Sequence, residues 1–230
     1  MQLSVLWDID HTLIDNAGVS KEIYAAAFTA LTGHVPAGPA RTEGRTDRLI
    51  MRELFSRHHL TEPRWELVRA ALEHAGEERF ERLHRRGRAL PGACEALKAV
   101  EGREGWVSSV LTGNIPANAR VKLAAFGLDS FVDFSVGAFG SDGVQRSELV
   151  GVARRRIRLA HALERDAPLV LVGDTPRDVE AALSAGARVI AVATGIHSQE
   201  ELALAGAVTV LPDLSDTACL LHHLERIARH

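Results

Sequence analysis

The junction where Leu3-Ser4-Val5-Leu6-Trp7 runs into Asp8-Ile9-Asp10-His11-Thr12 constrains the fold more than any other stretch. A short apolar run with β-branched and aromatic residues, ending in polar ones, reads as a buried parallel strand that stops at Trp7 or Asp8. In open α/β sheets, ligands gather just outside the carboxyl ends of the strands. Two carboxylates placed there, one residue apart, repel each other. Burying them costs several kcal/mol unless a cation or hydrogen bonds offset the charge. A bound divalent metal is the economical solution.

After Thr12 the pattern turns helical. Val19 to Leu31 places Val19, Ile23, Ala26, Ala27, Ala30 and Leu31 on one face, and Gly33 supplies a stop. Thr46 can cap a second helix through about His59. Pro63 opens a third that reaches Leu83, with a break expected near Gly76. No strand pattern interrupts residues 16–88, which read as an all-helical insertion. Beyond Leu90-Pro91-Gly92 the chain alternates as a parallel α/β sheet requires. Strands are expected at Trp106–Leu111, Phe131–Val136, Leu169–Val172, Val189–Ala193 and Val208–Leu211. Helices are expected at Ala93–Val100, Ile115–Phe126, Ser147–Leu163 and Pro176–Ala185. The expected architecture is α/β, a doubly wound parallel sheet of Rossmann-like form. Residues 1–15 and 89–230 make the core, and 16–88 make an inserted helical cap.

Composition narrows the partners. A formal charge of -3 gives no electrostatic reason to expect nucleic acid or an anionic membrane. The clusters Arg82-Arg85-Arg86-Arg88 and Arg154-Arg155-Arg156-Arg158 have glutamates nearby and few aromatics, and read as solvated helical faces. No apolar run reaches transmembrane length, and Asp8 comes too early for a signal peptide. Cys94 and Cys219 match no metal or redox spacing. A cytoplasmic protein, monomer or homodimer, is expected.

Three polar clusters sit at three strand ends: Asp8-x-Asp10-x-Thr12, Thr112-Gly113-Asn114, and Gly173-Asp174-Thr175-Pro176-Arg177-Asp178. In a parallel sheet these ends share one edge, so the clusters should converge. Some of these residues have a second reading. Thr12 and Asn114 are good helix caps. Thr175 and Asp178 are spaced as a capping box, with Pro176 at the first helical position. That leaves Asp174, which precedes the cap, as the firmer metal ligand.

In this order, the clusters resemble the haloacid dehalogenase-like hydrolase superfamily, and the helical segment resembles its C1-type cap. The resemblance covers nearly the whole chain and implies a Mg²⁺-dependent phosphatase acting on a small phosphorylated metabolite, similar to phosphoglycolate phosphatases. It implies that Asp8 attacks phosphorus and that Asp10 moves protons. Asp8, the backbone carbonyl of Asp10 and Asp174 would hold Mg²⁺, with Asp178 as a secondary ligand. Thr112 would donate its hydroxyl to the phosphoryl group, helped by the amides of Gly113 and Asn114 and by Thr12.

The family's usual lysine-proline signature for a phosphate-binding cation is missing. Lys122 is placed about two helical turns from the strand end, roughly 10 Å from the phosphate. Arg146 follows the loop 137–142, where the family's lysine normally sits, and is favoured over Lys122 because a guanidinium fork suits phosphate; a plain surface arginine is the other reading. Arg45, in the cap turn Gly44-Arg45-Thr46-Asp47, could meet an anionic substrate group or lie solvated. A sugar phosphomutase shares the same motifs. A dehalogenase as a rule lacks the carboxylate at Asp10, and the intact acidic set argues against an idle binding protein.

Overall fold

The computed structural model describes residues 2–161 and 167–229. In chain order the elements are β1 (Leu3–Trp7), β2 (Ile14–Asp15), α1 (Val19–Thr32), α2 (Asp47–Arg57), α3 (Trp65–Glu77), α4 (Phe80–Arg86) and β3 (Arg88–Ala89). Then come α5 (Ala93–Glu101), β4 (Trp106–Val110), α6 (Pro116–Ala124), α7 (Arg146–His161), β5 (Leu169–Gly173) and α8 (Pro176–Ser184). The chain closes with β6 (Arg188–Val192), α9 (Gln199–Leu204), β7 (Thr209–Leu211) and α10 (Thr217–Ala228).

Five strands form one parallel sheet in the order β4-β1-β5-β6-β7. Because side chains alternate along a strand, β1 serves two cores. Leu3, Val5 and Trp7 pack with residues of α5, α6 and α10, while Leu6 packs with residues of α7, α8 and α9. Burial on both faces explains why β1 and β5 are almost wholly apolar. After β4 the chain crosses to the far side of β1 to form β5, so the sheet's switch point lies at the carboxyl end of β1. That is where a ligand crevice opens.

The four helices α1–α4 leave and re-enter the sheet through a two-stranded antiparallel pair, in which Ile14 faces Ala89 and Asp15 faces Arg88. Their apolar faces share a third cluster that includes Phe28, Leu54, Phe55, Val68 and Leu72, together with Ile115 at the start of α6.

Two expectations need correction. Phe131–Val136 is not a strand. After a 3-10 turn at Asp129–Phe131, Asp133 accepts from the backbone N–H and hydroxyl of Ser135, and this local turn displaces a ladder. The segment still covers the outer edge of β4, through the Asp133 N–H to Ser108 and the Ala138 N–H to Val110. The helical break expected near Gly76 falls two residues on, at Glu78–Arg79. Gly76 stays helical because α6 packs against it, where a Cβ would lie 2.0 Å from Asn118 Oδ1. Residues 16–88 end at a strand that no pattern announced: Arg88 belongs to β3. The expected end of the α7 helix at Leu163 lies outside the described residues.

Candidate active site

The three strand-end clusters line one cavity, with Asp8, Asp10, Thr112, Gly113, Asn114, Arg146, Asp174 and Thr175 on the sheet side. From the helical segment, Asn16, Ser20, Tyr24, Thr42, Glu43, Gly44 and Arg45 close over it.

Asp8 and Asp10 are treated in opposite ways. Asp8 Oδ1 lies 2.9 Å from Nη2 of Arg146, which also lies 2.6 Å from Asp178 Oδ1. Burial raises the Asp8 pKa to about 6; Arg146 pulls against this and the charge of Asp178 adds to it. Asp10 is also penalised by burial, but its neighbours win and hold it well below the usual carboxylate range. Lys122 Nζ donates to Asp10 Oδ1 at 2.9 Å and Oδ2 at 2.6 Å, and Asn114 Nδ2 donates to Oδ2 at 2.8 Å. Asn16 and Ser20 add two further donors to Oδ1.

Lys122 is thus part of the site, against the expectation from its position along α6. The helical rise does separate its backbone from the strand end. However, helix side chains slant toward the N-terminus, and the long lysine stem carries the ammonium back to Asp10. Both candidate cations are present, on different carboxylates: Arg146 on Asp8 and Lys122 on Asp10.

Thr12 caps no helix. A left-handed Gly18 precedes α1, and the Thr12 hydroxyl donates to Asp174 Oδ1 at 3.1 Å. Thr12 therefore orients a carboxylate and does not line the cavity. Thr112 does line it; its hydroxyl oxygen accepts from Asn114 N–H and Nδ2 and finds no acceptor for its own proton among the described residues. Asn114 is not the cap of α6, and its N–H points inward to Thr112. The first N–H of that helix end, Ile115, is taken at 2.8 Å by Asp47 Oδ2 instead. Arg45 turns its guanidinium to Glu53. The Thr175–Asp178 capping box is present, with Asp178 Oδ2 accepting from Thr175 N–H and hydroxyl.

Asp8, Asp174 and Asp178 each bring a carboxylate oxygen within 4.8 Å of the others, and all three are buried. One guanidinium faces this group, too little to balance three charges, and burial with the charges of Asp178 and Asp8 raises the Asp174 pKa well above its ordinary value. An all-oxygen set with surplus negative charge suits a hard divalent cation. The Asp10 carboxylate stands outside the group.

Asp47 and Tyr24 join the site although nothing in their sequence positions assigns them a role in it. Asp47 reads as an ordinary first-turn acid of α2 but is only 1% exposed. Besides capping Ile115, it accepts from the Tyr24 hydroxyl at 2.6 Å and gives its own N–H to the Gly113 carbonyl at 2.8 Å. Burial lifts its pKa to about 6, with the Tyr24 hydrogen bond opposing. Tyr24 is not among the residues that periodicity places on the apolar face of α1.

Comparison with known proteins places this geometry. The family model described as haloacid dehalogenase-like hydrolase matches residues 5–183. The chain belongs to that family. A second model, HAD-hydrolase-like, matches residues 150–217 of this haloacid dehalogenase-like chain. "Probable phosphatase IndB" of Dickeya dadantii (strain 3937) is 28% identical over 237 residues, covering 99% of this chain and 97% of that protein. Among solved structures, a hydrolase from Pseudomonas syringae matches with a TM-score of 0.66 and 24% identity, covering 99% of this chain and 100% of the other. CbbY from Rhodobacter sphaeroides, in complex with phosphate, matches with a TM-score of 0.68 and 18% identity, over 94% and 96% of the two chains. At these identities the structural likenesses speak for the fold. The family makes the protein a hydrolase.

Proposed function

We propose that this hydrolase is a Mg²⁺-dependent phosphatase that cleaves a small phosphomonoester through an aspartyl-phosphate on Asp8. The observation that carries the reading is the meeting of Asp8, Asp10, Thr112 and Asp174 from three adjacent strand ends in one cavity. The Dickeya dadantii relative's name agrees with it. In this reading residues 16–88 are a cap that closes over the core.

Asp8 attacks phosphorus, and the bond to the ester oxygen breaks. Asp10 gives that oxygen a proton. The carboxylate so formed then draws a proton from the water that attacks the aspartyl-phosphate, which releases phosphate and restores Asp8. Lys122 and Asn114 hold Asp10 as the carboxylate that the second half needs, so their grip has to loosen for the first half. Arg146 and Thr112 bind the phosphoryl oxygens. Asp8, Asp174, the Asp10 carbonyl and, more remotely, Asp178 would hold Mg²⁺. When bound there, the ion would screen the anionic nucleophile from the anionic phosphoryl group.

Asp8→Asn is expected to cut Mg²⁺-dependent phosphate release from para-nitrophenyl phosphate by at least about a thousandfold. Aluminium fluoride should inhibit the wild type by imitating the phosphoryl group at Asp8. Undiminished turnover in the variant would sink the mechanism. A phosphomutase would return an isomeric phosphoester in place of free phosphate, so a sugar phosphate assayed for both products separates the two.

A further inference from the structure

The cap-side wall of the cavity has a hydrogen-bond polarity of its own. Around Asp10 most of the donors are already spent, a second amide proton of Asn16 excepted. The three protons of Lys122 go to Asp10 Oδ1, Asp10 Oδ2 and Asn114 Oδ1. Both amide protons of Asn114 go to Asp10 and Thr112, and the Ser20 hydroxyl goes to Asp10.

Tyr24 is committed more firmly still. Asp47 Oδ2 takes the backbone N–H of Ile115, a group that can only donate. The other oxygen of this buried carboxylate takes the Tyr24 proton at 2.6 Å. A phenol has one proton, so Tyr24 can offer a ligand in the cavity only oxygen lone pairs. Glu43, on the same wall, is another acceptor, with its charge met by Lys21 at 3.6 Å. Arg45, the guanidinium on the cap side, turns to Glu53, a carboxylate that Arg41 and Arg57 share. At Tyr24 and Glu43 the wall therefore presents acceptors.

We propose that Tyr24, oriented by Asp47, determines specificity by accepting a hydrogen bond from the leaving group, which selects uncharged hydroxyl-bearing esters such as polyol or sugar monophosphates over phosphorylated acids. The proposal rests on the phosphatase reading above. Asp47 acts here as a positioning residue, through Tyr24.

Two substrate pairs test it, each differing only in CH₂OH against COO⁻: ethylene glycol monophosphate with phosphoglycolate, and glycerol phosphate with phosphoglycerate. At pH 8 with Mg²⁺, the wild type should favour the alcohol member of each pair by about tenfold or more in kcat/KM. In Asp47→Asn the Ile115 N–H still requires the amide oxygen. The new NH₂ then faces Tyr24 and turns the phenol proton into the cavity. The preference should move toward the acids by about tenfold, mainly through KM. Tyr24→Phe, which offers neither donor nor acceptor, should bring the ratio near one.

A wild type that favours the acids overturns the proposal, as do folded Asp47→Asn and Tyr24→Phe variants that keep the wild-type ratio. If Asp47→Asn fails to fold, the wild type and Tyr24→Phe decide alone. Para-nitrophenyl phosphate separates the two levels. If the wild type hydrolyses neither it nor any member of the pairs, the phosphatase reading fails and takes this proposal with it. If it hydrolyses para-nitrophenyl phosphate without the alcohol preference, only the role of Tyr24 falls.

Discussion

Asp8 and Asp10 share a strand end, yet one is pushed toward protonation and the other is pinned as an anion. The difference lies in what faces them. Asp8 shares one guanidinium with Asp178, while Asp10 has a lysine to itself and three further donors. Lys122→Met would strand the Asp10 charge, and stability should fall by about 3 kcal/mol in urea unfolding near neutral pH. The Asp10 pKa is depressed in the folded protein, so its stabilising contribution is present above the ordinary carboxylate value of 3.8 and fades as pH falls through the folded value. The gap between wild type and Lys122→Met should therefore narrow below about pH 4. A gap independent of pH would mean that the pair contributes nothing specific. The carboxylates themselves were legible in the sequence, because acids at the end of an apolar strand are too costly to bury for packing alone to put them there. Lys122 was not, since spacing along a helix locates the backbone and not the end of a long side chain. Asp47 was hidden for another reason: a helix-capping pattern looks the same whether it faces solvent or the core.

At the scale of elements, the turn Gly44–Thr46 is wedged between the loops that follow β4 and β5. A Cβ on Gly113 would lie 1.9 Å from the Arg45 carbonyl oxygen, and one on Gly140 would lie 1.8 Å from the Gly113 carbonyl oxygen. Gly44, at φ +62°, has Thr175 and Arg177 against it. Thr46 ties the same seam by donating to the Val144 carbonyl at 2.8 Å. Gly113→Ala must push the Arg45 turn off the core. The expected result is a loss in kcat/KM of about a hundredfold, together with faster proteolysis between Gly33 and Arg45. Unchanged kinetics and unchanged cleavage would show that the seam yields at little cost. The strands and helices around this seam were legible wherever apolar runs met clear punctuation, as at β1, β5 and the Pro176 start of α8. The segment Phe131–Val136 misled because it is apolar enough for a strand, while the Asp133 side chain that diverts it makes no mark on periodicity. The short β2–β3 pair has too few residues to show a period.

At the scale of the whole molecule, the fold gathers buried acids at its switch point and leaves them short of countercharge. Asp8 and Asp47, with pKa values raised to about 6, bind protons more tightly folded than unfolded, where the ordinary value is 3.8. Stability of the metal-free protein should therefore decline as pH rises from about 4 through about 6, by at most about 3 kcal/mol for each group. Asp10 does not offset this, because its contribution is complete by about pH 5. A divalent ion held by Asp8 and Asp174, as proposed, would compete with the proton there, and its effect should appear on the alkaline side of the same window. With Mg²⁺ at a hundred times its dissociation constant, the added stability is about 2.7 kcal/mol. Melting curves of EDTA-treated protein should shift down between pH 5 and pH 7.5. Mg²⁺ should restore the melting temperature at pH 7.5, do little at pH 5, and have no effect at either pH in Asp174→Ala. A metal-free protein that gains stability across that window, or one indifferent to Mg²⁺ at pH 7.5, would show that the acids are balanced by their protein neighbours alone.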